Sequence, residues 1–384
     1  MMLALIGLLL ALLLPATAAI AVDDAARVLI LVNDAVPPEP GTGVKGASVY
    51  VGEHYTERRG VPRANIVHLT IPLADHDPRA WDSWNISWDR FDQYIRTPLR
   101  QVLEKRHLTE RILYVVSTYG IPLRVSGGPL GTLEGVSVDS ILAALHAGRD
   151  VPGLRNPYRA GVEEAKVHFR DWTNPLGWRM YLVTRLDGPT PLIAVGLVDK
   201  AIKAEASLQK TDGVGYFDYR HLTGNDAYAR ADQTMLNAYT LSTARGFASV
   251  LNDQTQTGAM LRTAPRTLWA WGWYSGPNTW DGYQFVEGAI GAQLTSYTAN
   301  SIRGMKPGTW VPLWLAAGIT ATWGATGEPT VQGYANGDNL LNHFWMGYNF
   351  AESSYLASPA LNHMMVFVGD PLYAPRIFQS SPAR

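Results

Sequence analysis

The apolar positions of this chain fall into short runs spaced for a buried sheet with covering helices. Arg27-Val-Leu-Ile-Leu-Val-Asn33 is continuously apolar over the length of one strand, the pattern of a strand covered on both faces. Residues 47–59 read as a helix stopped by Gly60, with Pro62 just beyond, and residues 65–71 as a second strand. Such βαβ spacing predicts a parallel sheet with right-handed crossovers. Leu268-Trp-Ala-Trp-Gly-Trp-Tyr-Ser-Gly276 organises the rest. Trp269, Trp271 and Trp273 alternate with Leu268, Ala270 and Gly272, a period of two that fits a strand and not a helix. Gly272 and Gly276 allow a sharp turn or a close backbone approach at its end.

Between these landmarks the pattern continues in the same style. Further strands are expected at 111–117, 180–187, 213–218 and 365–371, and helices at 192–208, 226–249 and 339–350, with part of another at 358–364. Residues 89–107 are amphipathic, with Pro98 placed to kink the helix. Residues 136–140 open a helix for which Ser137 or Asp139 can serve as N-cap. Residues 288–296 read as the entry to a helix or strand, and 312–323 as an apolar element ending in a Gly-rich turn. Residues 146–174 lack periodicity and read as an insertion on the ligand side. The predicted fold is α/β, a three-layer αβα arrangement around a mostly parallel sheet. Two adjoining halves, 23–174 and 175–375, precede a loose tail at 376–384.

Composition narrows the chemistry. With 384 residues, 47% hydrophobic and 17% charged, the chain can bury a large core. A formal net charge of −1 provides no field for nucleic acid or anionic lipid. The absence of cysteine removes disulfides, thiolate metal sites and a cysteine nucleophile together. Residues 1–19 form an apolar run ending Pro15-Ala-Thr-Ala-Ala19, which reads as a secretory signal and places the mature protein in the periplasm or outside the cell. No later run is long and uncharged enough to span a membrane.

No cofactor or metal is expected. Asp75-His-Asp77 offers ligand types but equally makes an ordinary turn with Pro78. Zinc spacing, a phosphate loop and a dinucleotide fingerprint are all missing.

The strand ends are expected to bring Arg124, Arg185, Asp187, Asp218, Ser275, Asp281 and Ser296 towards one rim, with Asp139 a further binding candidate or else a helix cap. Arg185 can clamp a carboxylate or phosphate through its planar fork, or form a structural ion pair with an acidic neighbour. Asp187 or Asp218 can act as a base if burial raises its pKa. Ser275 and Ser296 are the candidate nucleophiles, although the sequence places no base beside either. Trp81, Trp84 and Trp88 suggest a sugar-stacking platform, or simply packing on the domain.

Five pieces in order carry a resemblance. Tyr181-Leu-Val-Thr-Arg-Leu-Asp187 precedes a helix bearing Lys200, Lys203 and Glu205; the turn at Trp271 to Gly276, Leu294-Thr-Ser-Tyr-Thr-Ala-Asn300, Ala316-Ala-Gly-Ile-Thr-Ala-Thr-Trp323 and Val368-Gly-Asp-Pro-Leu372 follow. Together they resemble the gingipain-like branch of caspase-fold peptidases. That resemblance implies a His-Gly turn where this chain has Tyr274-Ser275-Gly276, and a nucleophilic cysteine near Ser296 or Tyr297. The phrases Tyr119-Gly-Ile-Pro-Leu-Arg124, Ser137-Val-Asp-Ser140, Leu182-Val-Thr-Arg-Leu-Asp-Gly188 and Val368-Gly-Asp-Pro-Leu-Tyr373 also resemble a family of exported bacterial proteins found with exosortase sorting systems. The expectation is therefore a peptidase-like protein without the cysteine and histidine. It would hold a peptide or glycan in the old cleft as a binding or accessory protein. The alternatives are a hydrolase using Ser or Asp in that cleft, or a carbohydrate-binding surface protein.

Overall fold

The computed structural model describes residues 24–73, 85–259, 261–273, 282–303 and 309–378. Ten strands build one sheet. In chain order they are β1 (Val28–Asn33), β2 (Ile66–Leu69), β3 (Tyr114–Thr118), β4 (Leu182–Leu186), β5 (Val214–Tyr219), β6 (Ser249–Asp253), β7 (Ala264–Trp273), β8 (Tyr283–Leu294), β9 (Ala321–Ala325) and β10 (Met365–Val368). Across the sheet the order is β6-β5-β7-β8-β9-β10-β4-β3-β1-β2. Every neighbouring pair is parallel except β9 with β10. Two parallel sets of five thus run in opposite directions and meet at one antiparallel seam. The sheet is continuous across residue 174, because β4 pairs with β3.

Helices cover both faces. Helices α1 (Ala47–Arg59) and α4 (Pro191–Ser207) pack together. Helices α5 (Ala227–Ala244) and α7 (Gly337–Trp345) cover the tryptophan face of β7 and its neighbours, and α8 (Phe350–Ala357) packs on α7 and β4. Helices α2 (Thr97–Lys105), α3 (Val138–Ala143) and α6 (Trp310–Ala316) complete the shell. Helix α1 ends where Gly60 turns left-handed, at φ 69°. Ser137 is the cap of α3, accepting a bond from the Ser140 N–H, and Asp139 lies in the first turn.

The alternation read in β7 is present. Trp269, Trp271 and Trp273 are all buried, and the indoles of Trp271 and Trp273 donate to Thr234 Oγ1 (2.8 Å) and Asp232 Oδ1 (2.6 Å) on α5. The other face is bare because Gly272 lies against β5, where a Cβ would stand 2.5 Å from the Asp218 Cβ.

Several elements differ from expectation. The helix expected over 226–249 ends at Ala244, and its last expected residue, Ser249, opens the edge strand β6. The helix expected over 339–350 is two helices, separated where Gly347 takes φ 98°. Residues 358–364 are not helical and instead carry the short strand Ala360–Leu361, which pairs with Leu154–Arg155. Near Pro98 the helix contains a π turn over Asp92–Arg96, since proline supplies no N–H to the ladder.

Candidate functional site

The seam decides which candidates can meet. Val368 on β10 is in register with Thr322 on β9 and with Arg185 on β4, so these three are level. Thr322 is level with Gly291, Gly291 with Ala270 and Ala270 with Tyr216. From that row, β4 continues down to Asp187 while β5 continues up to Asp218 and β8 up to Ser296. Five inter-strand steps separate β4 from β5, roughly 24 Å at the usual spacing. The single rim expected from the sequence is therefore not formed: Arg185 and Asp187 lie toward one edge, and Asp218 and Ser296 toward the other. A single rim requires the strands carrying these residues to run the same way, and the antiparallel β9–β10 pair reverses half of the sheet.

Arg185, Asp187 and Asp139 form a closed interior cluster. The Arg185 side chain is fully buried. Its Nε and Nη2 donate to the two oxygens of Asp139 (3.0 and 2.9 Å), its Nη1 to Asp187 Oδ2 (3.0 Å), and Nη1 and Nη2 also to the carbonyls of Ile121 and Pro122 (both 2.9 Å). All five guanidinium N–H groups are thus committed within the protein. Burial works against the charge, but Asp139 and Asp187 more than offset it and hold the pKa above the ordinary arginine value. Arg303 adds a second fork onto Asp187, at 2.7 and 2.8 Å, and its guanidinium lies 4.9 Å from the Tyr119 ring centre. Ser117 Oγ donates to Asp139 at 2.8 Å. Two arginines and two aspartates balance in charge, which is the structural ion-pair alternative raised for Arg185. Arg303 and Ser117 had not been picked out. Arg303 follows a segment with no periodicity, so nothing local announces its partner 116 positions away.

Asp218 stands at the end of β5, and burial raises its carboxyl above the ordinary range against three donors. Asn252 Nδ2 (2.7 Å), Gln254 Nε2 (3.1 Å) and the Leu261 N–H (3.2 Å) donate to it, so it ties the edge strand β6 to the loop behind it.

Ser296 follows β8 directly, the place implied for a nucleophile by the resemblance. It is half-buried, and among the described residues its hydroxyl has no hydrogen-bond partner. Beside it Tyr297 takes φ 61°, the left-handed region that costs a non-glycine residue energy, held by its N–H bond to Gly327 O at 2.9 Å. Arg124 reaches the same place. It donates to Thr326 O at 3.3 Å and to Asn85 Oδ1, and lies close enough to Tyr297 for their charges to interact. The structure therefore brings Arg124, and Tyr297 with its neighbour Ser296, to residues Thr326 and Gly327 just after β9. Ser275 and Asp281 lie outside the described residues, as do Tyr274, Gly276, Asp75-His-Asp77, Trp81 and Trp84.

No described histidine bonds a serine hydroxyl through its ring. His343 is buried between the Asn339 and Glu164 carbonyls, and His221 pairs with Asp253. No group of three metal-ligating side chains occurs among the described residues, and no described helix is long and apolar enough to cross a membrane. None of the described tryptophans is exposed. Trp88 packs against Phe91 and under the Arg96 guanidinium, which sits 4.5 Å from its ring centre.

No family model matches this chain, and no curated protein does. Among solved structures, the complex of Porphyromonas gingivalis RgpB pro- and mature domains is similar in fold, with TM-score 0.50 and 11% identity over 92% of this chain and 81% of that one. A structure described as a protease aligns with TM-score 0.39 and 9% identity over 91% of this chain and 78% of that one. The first likeness concerns architecture alone. It identifies the sheet and its helical layers as a caspase-like α/β fold, distantly resembling the gingipain peptidases, in a chain that contains no cysteine.

Proposed function

We propose that this protein is an exported, peptidase-like binding protein that holds a peptide or glycan segment at the strand-end cleft around Arg124, Ser296 and Tyr297. It would serve as an accessory of the cell envelope, in a protein-sorting or exopolysaccharide system. The observation that carries this reading is a caspase-like sheet in a chain without a thiol. The position after β8 holds a serine whose hydroxyl touches no base among the described residues. A hydroxyl nucleophile needs such a base to take its proton. Arg124 supports binding. Burial lowers its pKa, and a partly desolvated guanidinium is a strong partner for a carboxylate or carbonyl. Export rests on the apolar run of residues 1–19.

The test is incubation of the purified mature chain with a mixed peptide library and a fluorophosphonate probe. Absence of turnover and of label is expected, together with peptide or glycan binding that weakens at least tenfold in Arg124→Ala. Label or cleavage that disappears in Ser275→Ala or Ser296→Ala would establish the rival reading, a hydrolase rebuilt in the same cleft.

A further inference from the structure

The stretch 170–179 is anchored at both ends beside the first described residues of the chain. Arg170 Nη2 lies 3.3 Å from Asp24 Oδ2. At the other end Arg179 donates to the Ile112 carbonyl, and the next residue, Leu113, donates its N–H to Arg27 O at 2.9 Å. Between these anchors Asn174 builds a tight turn. Its Oδ1 accepts from the Leu176 N–H (2.9 Å), its carbonyl accepts from the Gly177 N–H (3.0 Å), and its Nδ2 donates to Trp178 O (2.9 Å). Gly177 takes φ 75°, which glycine adopts without strain. The turn holds Pro175 and Leu176 outward, with Leu176 53% exposed. Trp172 and Trp178 flank this tip, both half-buried, and Trp172 stacks on Phe169 with ring centres 5.5 Å apart. Neither indole N–H has a partner among the described residues, and neither is enclosed. Trp271, Trp273 and Trp323 differ: their N–H groups donate inside the core.

An aliphatic tip on a preformed turn, with two indoles at its base, suits a lipid–water interface. The tip enters the apolar side, the ring bodies pack at headgroup level, and the N–H groups meet headgroup oxygens. A single exposed leucine would carry no such meaning; the chain's own N-terminus gives this one a partner. Residues 1–19 are an apolar run of the kind that engages a membrane during export. Only residues 20–23 separate Ala19 from Asp24, a reach of at most about 18 Å when fully extended. While the run is attached, Asp24 is confined close to the bilayer, and so is the loop that Arg170 ties to it. The charges around the loop are balanced. Arg170 faces Asp24, Arg179 faces Glu110 at 3.9 Å, and the exposed Asp171 and Arg111 add one charge of each sign. Contact is therefore apolar and suits a zwitterionic surface, with no field to favour anionic lipid.

We propose that the 172–178 loop is a lipid-contacting surface. Leu176 and Pro175 enter the interfacial layer, Trp172 and Trp178 settle at the headgroups, and the domain sits on the bilayer that receives residues 1–19. The absence of cysteine makes the test direct, because one introduced thiol takes a single label. The full chain carrying Leu176→Cys, labelled with nitrobenzoxadiazole, is reconstituted in phosphatidylcholine vesicles that contain nitroxide-bearing lipid. Reference labels go on Val44→Cys, in the loop beyond the opposite end of β1, and on Val250→Cys, on the edge strand β6. All three positions are exposed, so the melting temperature should be unchanged. Lipid quenching at position 176 is expected to exceed that at both references by about fivefold or more, and to persist in high salt and without phosphatidylglycerol. Quenching at 176 no stronger than at 44 and 250 would overturn the proposal, since the N-terminal run would then hold the chain alone and leave the loop free for another partner. Quenching that requires phosphatidylglycerol and disappears in salt would overturn it too. The label reports depth in the bilayer, so neither result depends on what the strand-end cleft binds.

Discussion

At Arg185 a full positive charge sits with none of its side chain in water, and a complete set of partners keeps it there. Removing the charge leaves Asp139 and Asp187 buried with fewer donors, although Arg303 still holds Asp187 and Ser117 still holds Asp139. Breaking such a pair costs about 3–5 kcal/mol because the abandoned carboxylate has no water to turn to. Arg185→Ala is expected to lose stability on that scale in urea unfolding. A loss below about 1 kcal/mol, typical of an exposed pair, would mean that the side chain serves a ligand instead. The residue type was legible in the sequence, and so was the choice between clamp and ion pair. Asp187, two residues on, was within reach of that reading, but Asp139, 46 positions away, was not. That depends on how the chain folds back after β3, and no local pattern encodes it.

Segment 153–172 shows how an irregular stretch becomes an element in its own right. Its backbone groups are satisfied one by one by side chains of α7, α8 and the turn after each. Asn342 takes the Val162 carbonyl (2.6 Å), His343 the Glu164 carbonyl (3.0 Å), and Glu352 the Phe169 N–H (2.7 Å). Asn156, buried, anchors the start: its Nδ2 donates to the carbonyls of Tyr355 (2.7 Å) and Ser358 (2.9 Å), and its Oδ1 accepts from the Tyr158 N–H (2.9 Å). Asn156→Ala orphans these groups, at about 1–3 kcal/mol for each buried one. Hydrogen exchange should then show amides 158–161 opening before the sheet does, and unchanged protection there would refute this anchoring role. From the sequence this stretch was readable only as aperiodic, because periodicity reports faces packed on a core and this segment is held by polar bonds. The edge strand β6 was hidden for a related reason. Ser-Val-Leu-Asn-Asp follows an amphipathic helix, is only partly buried, and carries no alternation of its own. By contrast, β1, β4 and β7 were legible because burial on both faces or a strict period of two leaves a mark in the residues themselves.

Across the whole molecule, ten strands depend on one four-residue strand. β10 joins the two oppositely directed sets, and just beyond it Asp370 accepts from the Tyr55 hydroxyl (3.0 Å) and from Arg59, which also grips Glu205 on α4 through two bonds. A chain ending before Met365 should therefore fail to unfold as one cooperative unit and should bind a hydrophobic dye. A synthetic peptide covering 360–384 should restore the cooperative transition when added in trans. A truncated chain that unfolds like the full one would show that the seam is dispensable.

That seam also sets a timetable. A ribosome extends a chain by about 5–20 residues per second, so β4 and β9 exist for several seconds or longer before the strand that must lie between them. For that interval each set of strands ends in an open edge, the kind of surface that pairs with whatever strand arrives first. Residues 326–364 must therefore be made, with β9 kept from pairing elsewhere, before the strand that closes both edges exists.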